Sequence, residues 1–125
     1  MVGARLKVKH DSLITIIGDE DTVTGFLLAG VGDLSGAQGK QSNFLIVTNK
    51  TPQSAVEEAF RTFTSREDAS ILLINQHVAN TIRHLIDDYN KVVPTILEIP
   101  SKTSPYDTTK DTVMHKVARM MGKAL

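Results

Sequence analysis

The sequence contains no cysteine. This absence excludes disulfides, thiolate zinc sites and cysteine nucleophiles, and it fits a reducing compartment. Net charge is also absent, because 14 basic residues balance 14 acidic ones; the overall charge offers no attraction for a polyanion, and we expect no nucleic-acid partner. No stretch approaches the ~18 apolar residues of a membrane span. We therefore expect a soluble protein of one domain, with no direct membrane insertion.

Four short runs rich in Ile, Val and Leu are present instead, at residues 13–17, 44–47, 71–74 and 92–99. They alternate poorly with polar residues, which is typical of strands covered on both faces. Pro94 interrupts the last run near its start, where a missing backbone donor is tolerated. The runs predict four buried strands.

The segments between these runs have helical spacing. The first predicted helix covers about residues 22–29 and ends in a glycine-rich loop. The second begins with Thr51 as the N-cap and Pro52 as the first helical residue. The third predicted helix, which precedes the last strand, has its apolar stripe at Val78, Ile82, Leu85, Ile86 and Tyr89. A final helix is expected over about residues 108–121.

This alternation of strands and helices predicts an α/β fold, because parallel strands need crossover connections of this kind. We expect a four-stranded parallel sheet with helices on both faces, a receiver- or flavodoxin-like arrangement of the Rossmann type with three layers. The segment 100–105, PSKTSP, cannot form regular helix and should act as a connector. The predicted division is a globular domain at 1–106 and a C-terminal helical arm at 107–125.

An acidic turn, GDEDT, follows the first predicted strand. Ligands of open parallel sheets bind beyond the carboxyl ends of the strands, so Asp19 and Glu20 could hold Mg²⁺, as in a receiver domain with a phosphoacceptor aspartate. Such a site would need a carboxylate at the end of the third strand, where this chain has Asn75. The alternative is that Asp19 and Asp21 cap the first helix and favour its positive end.

The sequence does not support a phosphate-binding, zinc-binding or hydrolase site. Gly30 and Gly32 follow a helix, whereas a phosphate cradle must follow a strand. His77 and His84 lack a third zinc ligand in register. Ser35 has no G-x-S-x-G setting. We therefore predict a binding protein with no catalytic residue, no metal site and no cofactor.

Three stretches together resemble one known family, the F subunits of eukaryotic V-type proton ATPases (V-ATPases). They are GDEDTVTGFLLAGVG at 18–32, ILLINQ at 71–76 and VPTILEIPSKTSPYD at 93–107. The strand NFLIV at 43–47 is also similar to that family. The resemblance covers most of the chain from about residue 13 to residue 107.

The resemblance implies a non-catalytic component of the central stalk, the rotor that couples ATP hydrolysis in the cytosolic sector to proton transport and organelle acidification. Its implied partners are the D subunit, which forms the coiled-coil shaft, the catalytic A and regulatory B subunits, and the separate d subunit below the shaft. The implied location is the cytosolic face of vacuolar and endosomal membranes, or the cytoplasm after dissociation. The open alternatives are a receiver-like Mg²⁺-binding signalling domain and a scaffold domain of another complex.

Two groups of residues acquire roles through this resemblance. The first group is a strand-to-helix capping turn, formed by Gly18, Asp19, Glu20, Asp21 and Thr22. The second is a subunit interface, to which the resemblance assigns Pro100, Ser101, Lys102, Pro105 and Tyr106 at the exit from the last strand. We expect the apolar stripe of the arm to extend this interface, because an exposed stripe needs a partner to cover it; its residues are Val113, Val117, Met120 and Met121. We expect the arm to be mobile without a partner, because the connector offers it little to hold.

Overall fold

Four parallel strands form the central sheet of the computed structural model, which describes residues 13–32 and 42–122. The strand order is β2-β1-β3-β4. The strands are β1 (Leu13–Gly18), β2 (Phe44–Ile46), β3 (Ala69–Asn75) and β4 (Thr95–Ile99). The register places Ile16 beside Leu73 on β3, and Leu73 beside Leu97 on β4. The predicted four-stranded parallel α/β fold is confirmed.

Helices cover both faces of this sheet. The α-helices are α1 (Glu20–Leu28), α2 (Gln53–Ser65), α3 (Gln76–Ala79), α4 (Arg83–Asp88) and α5 (Thr112–Met120). Short 3-10 turns at Asn80–Ile82 and Thr108–Lys110 precede α4 and α5. Within the described ranges, none of these helices has the length and apolar character to cross a membrane.

The core has two parts, one on each side of the sheet, because successive side chains of a strand point to opposite faces. On one side Ile16 and Leu73 pack against Val23 of α1. On the other side the sheet packs against α2, α3 and α4; the fully buried members include Ile17, Leu72, Ile74, Ile82 and Ile86. Burial on both faces explains why the central strands β1 and β3 are nearly continuous apolar runs, whereas the edge strand β4 exposes Thr95 and Leu97 on one face.

Several predicted boundaries require correction. The first helix begins at Glu20 because Asp19 is its N-cap. The second begins at Gln53, with Pro52 as N-cap, because the Thr51 hydroxyl accepts a hydrogen bond from Thr48 N (2.9 Å) instead of capping the helix.

The later elements differ from prediction as well. The third predicted helix is divided by the 3-10 turn into α3 and α4. The last strand begins at Thr95, after a cis peptide bond before Pro94. The final helix begins at Thr112 because the extended backbone of Asp111 (ψ 120°) ends the preceding turn. The predicted limits at residues 1 and 125, and Ser35, lie outside the described residues.

Candidate functional site

The acidic turn after β1 is a helix cap. Asp19 has extended backbone, and its carboxylate accepts a hydrogen bond from Thr22 N (2.8 Å). Glu20 and Asp21 lie in the first turn of α1, where negative charge is favoured by the helix dipole. The Asp19 carboxylate is thus used within its own chain.

Asn75, at the end of β3, joins three segments of this edge of the sheet. Its side chain is fully buried. The amide oxygen accepts a hydrogen bond from Asp19 N (2.8 Å), and the amide nitrogen donates to Pro100 O (3.2 Å). A Cβ on Gly18 would overlap the Asn75 amide oxygen, so the close approach needs glycine at that position. A carboxylate at position 75 could not donate to Pro100 O, so the amide at this position has a structural role.

The connector after β4 is an ordered turn. Ser101 N donates to Ser104 O (3.0 Å), and the Ser101 hydroxyl accepts from Ser104 N (3.0 Å). Lys102 forms an exposed ion pair with Asp21 of α1. Pro105 follows this turn, and the hydroxyl of the next residue, Tyr106, donates to Asp111.

Gln76, the first residue of α3, holds the segment that leads to α5. Its side chain is buried, and its amide group both donates to and accepts from the backbone of Asp107. The amide oxygen accepts from Asp107 N (2.6 Å), while the amide nitrogen donates to Asp107 O (2.7 Å). The expectation that the connector leaves the arm little to hold is therefore wrong.

A buried ion pair lies beneath this segment. The Arg83 guanidinium contacts both carboxylate oxygens of Glu98, at 2.7 and 3.0 Å, and the Glu98 side chain is only 1% exposed. Arg83 also donates to the Thr112 hydroxyl (3.1 Å), which donates to Asp87 (2.6 Å). The pair thus links α4, β4 and the start of α5.

The electrostatics of this network are dominated by burial. Burial raises the pKa of Glu98, the Arg83 hydrogen bonds lower it, and the nearby Asp111 carboxylate raises it further. Burial, together with the hydrogen bond to Asp111, raises the pKa of Tyr106 to about 12. Asp111 is itself buried and caps α5 by accepting from Val113 N (2.9 Å). Two buried carboxylates therefore lie near each other at the root of the arm: Glu98 is paired with Arg83, and Asp111 accepts hydrogen bonds from Tyr106 and Val113 N.

The outer side of α5 carries the predicted interface residues of the arm. Thr112 and Ala118 face the body and are buried. Between residues 112 and 122, four large apolar side chains are exposed, by 39 to 86%. They are Val113, Val117, Met120 and Met121, and below we call them the arm stripe.

A cavity of about 350 Å³ opens at the carboxyl edge of the sheet, near β1, β2 and α3. Its polar lining includes Asp19, Thr48, Asn49 and His77. Among residues 13–32 and 42–122 there is no group of three His, Asp or Glu side chains placed to hold a metal ion.

Sequence reasoning missed the network of Gln76, Arg83, Glu98 and Asp111. The one available signal was Glu98, a carboxylate in the otherwise apolar strand TILEI, since a charged residue inside a buried strand needs a partner. Its partners could not be named, because Arg83 and Gln76 lie 15 and 22 positions away in the chain.

Comparison with known proteins identifies the family. A family model described as ATP synthase (F/14-kDa) subunit matches residues 14–117. The V-type proton ATPase F subunit of Dictyostelium discoideum is 54% identical over 119 residues, or 95% of this chain and 98% of that protein. The Arabidopsis thaliana F subunit is 48% identical over 114 residues, or 91% of this chain and 88% of that protein.

A solved structure agrees with the fold. The F subunit of the V-type ATP synthase from Archaeoglobus fulgidus matches with a TM-score of 0.51 and 24% identity, and covers 72% of this chain and 99% of its own. That likeness speaks to the fold alone, whereas the family model and the eukaryotic relatives span most of the sequence. The chain therefore belongs to the family of V-type proton ATPase F subunits.

Proposed function

We propose that this V-type ATPase component is a non-catalytic part of the central stalk, the rotor that couples ATP hydrolysis to proton transport and organelle acidification. The observation that carries the proposal is the arm stripe, an exposed apolar face on a helix whose base is fixed by buried polar contacts. An exposed stripe of this kind needs a partner to cover it. A fixed base means that the partner meets a preformed surface, which lowers the entropic cost of binding.

The non-catalytic assignment is supported by the use of the polar groups at the carboxyl edge of the sheet. Asp19 is used in a helix cap and Asn75 in backbone contacts. The Mg²⁺-binding receiver alternative needs both positions free to bind a metal and a phosphoryl group. These contacts favour a structural role for the capping turn of residues 18–22.

The proposed partner at the arm stripe is the D subunit, the coiled-coil shaft. The catalytic A and regulatory B subunits would surround the shaft, and the d subunit would lie below it. In this proposal the globular domain (1–106) and the arm (107–125) both contact the shaft, the former through the exit from β4 at Pro100, Ser101 and Lys102. The complex would lie at the cytosolic face of vacuolar and endosomal membranes.

The test is binding to the purified coiled-coil shaft after removal of apolar surface from the arm. Met120 and Met121 are 86% and 62% exposed, so Met120→Ser/Met121→Ser should leave the fold intact. Burial of one Met side chain is worth about 1.5–3 kcal/mol, so we expect a loss of at least about 2 kcal/mol, or roughly 30-fold in Kd. Leu28→Ser on α1, where Leu28 is 85% exposed, is the matched control and should bind as the unmodified chain does.

The outcomes separate the stalk role from the place of contact. Unchanged binding by the double variant would move the interface away from the arm. Failure of the unmodified chain to bind the shaft would contradict the stalk role itself. Point variants are preferable to cutting the arm after Tyr106, because the cut would remove the groups that Gln76, Tyr106 and Arg83 contact.

A further inference from the structure

A groove runs between α5, the end of α4 and the loop that leads into β4. It encloses about 440 Å³. Ile86, Tyr89 and Ile96 contribute to its apolar lining, together with the highly exposed side chains of Val92 and Met120 (84% and 86%). We call this feature the α5 groove; it adjoins the arm stripe, since Val113 and Met120 belong to both.

The charged side chains that line the α5 groove are both positive. Of the described residues that line it, Lys91 and Lys116 are the charged ones. Each ammonium group donates to a backbone carbonyl: Lys91 to Thr64 O (3.4 Å) and Lys116 to Tyr89 O (2.8 Å). Neither lysine has a carboxylate partner within the described part of the chain, so their charge is not neutralised there.

Two cations elsewhere in the described residues are neutralised by nearby acids. Arg83 pairs with Glu98, and Lys102 pairs with Asp21. The acidic residue Asp87, on the last turn of α4, accepts a hydrogen bond from Thr112 and lines a different depression beside Arg83 and His115. Asp88 is exposed and is not among the groove residues. The α5 groove therefore combines an apolar lining with two cations that have no carboxylate partner among the described residues.

We propose that the α5 groove docks an amphipathic helix of the stalk partner, with carboxylates of that helix placed against Lys91 and Lys116. This inference rests on the proposed function and adds the chemistry that the partner must present. The apolar lining accepts the stripe of the incoming helix, which would pack on α5 at about 8–10 Å between axes. Carboxylates flanking that stripe would match the two lysines, as charged positions flank the seam of helical pairs.

A protein helix fits this groove better than a lipid surface does. Ile86 is 2% and Ile96 is 4% exposed, so the floor is recessed beneath Val92 and Met120. Inserted side chains can reach a recessed floor, whereas peripheral membrane contacts are made by an apolar face that protrudes into the headgroup region.

The experiment reverses the groove charge and varies the salt concentration. Lys91→Glu/Lys116→Glu is compared with the unmodified chain for binding to the purified coiled-coil shaft at about 50 mM and about 300 mM salt, where screening differs strongly. We expect at least about tenfold weaker binding at low salt, mostly through a slower association rate, and a smaller difference at high salt. Lys50→Glu/Arg61→Glu changes charge by the same amount on exposed side chains of the globular domain and should bind within about twofold of the unmodified chain. A thermal unfolding curve of each variant checks that it folds.

Three results would overturn the inference. Equal affinity of the groove variant and the unmodified chain would leave the stalk role standing and remove the groove from the interface. No binding by the unmodified chain would remove both. Lysine-dependent binding to vesicles containing about 30% phosphatidylserine, with shaft binding unaffected, would assign the groove to a lipid surface.

Discussion

Arg83→Met should strongly destabilise the protein, because it leaves the buried carboxylate of Glu98 without its cation. The Glu98 side chain is 1% exposed, and its remaining polar contact is with the Gln76 amide at 3.3 Å. Removal of one partner from a buried ion pair costs about 3–5 kcal/mol. Set against a total of about 5–15 kcal/mol for a typical domain, this is a large fraction. Urea unfolding at neutral pH should show a midpoint lower by about 2 M.

The matched variant is Arg83→Met/Glu98→Leu, which removes both charges. If the loss comes from the uncompensated carboxylate, the double variant should recover at least half of it. The cost of Arg83→Met should also shrink as pH falls, because the stranded Glu98 takes up a proton. A loss below about 1 kcal/mol, or a double variant no more stable than the single one, would refute this reasoning.

Two further predictions concern the buried polar groups. Asn75→Ala leaves Asp19 N and Pro100 O without their partner, and should lower the free energy of unfolding in urea by about 2–4 kcal/mol. The exposed Asn49→Ala is the control and should lower it by less than about 0.5 kcal/mol. Similar losses for the two variants would contradict the structural role of Asn75. Glu98→Gln tests whether the pKa of the Glu98 carboxyl is raised in the folded protein. A raised pKa means that the folded state binds the Glu98 proton more tightly than the unfolded state does. The stability that this proton contributes is therefore present at low pH and is lost as pH rises through the folded-state pKa. The stability of Glu98→Gln relative to the unmodified chain should therefore increase from about pH 4 to about pH 7, and a flat difference would show that the pKa is unshifted.

The sheet was predictable because each strand carries its own signal. Residues 13–18 and 69–75 are buried on both faces of the sheet, so apolar side chains occupy nearly every position. The first helix was predictable in kind because Asp19 is a strong N-cap directly after a strand. Local chemistry of this type can be read without knowledge of the tertiary structure.

The contacts at the root of the arm were not predictable, because they join residues that are far apart in the sequence. Gln76 and Asp107 are 31 positions apart, and Arg83 and Thr112 are 29 apart, so their contacts depend on how β3, β4 and α4 pack. Asn75 was noticed in the sequence only as a missing carboxylate, whereas its buried amide joins the ends of β1 and β4. Side chains that satisfy backbone groups of distant segments leave little trace in local sequence patterns.

The most direct test of the rotor role is rotation of this protein in the assembled V-type ATPase. The chain contains no cysteine, so Glu58→Cys on the exposed side of α2 gives a single site for a biotin tag and a probe bead. With the catalytic A and regulatory B subunits immobilised, addition of ATP should make the bead rotate in one direction, and rotation should stop without ATP. A bead that stays fixed relative to the immobilised subunits, in complexes that hydrolyse ATP, would place this protein outside the rotor and contradict the proposed function.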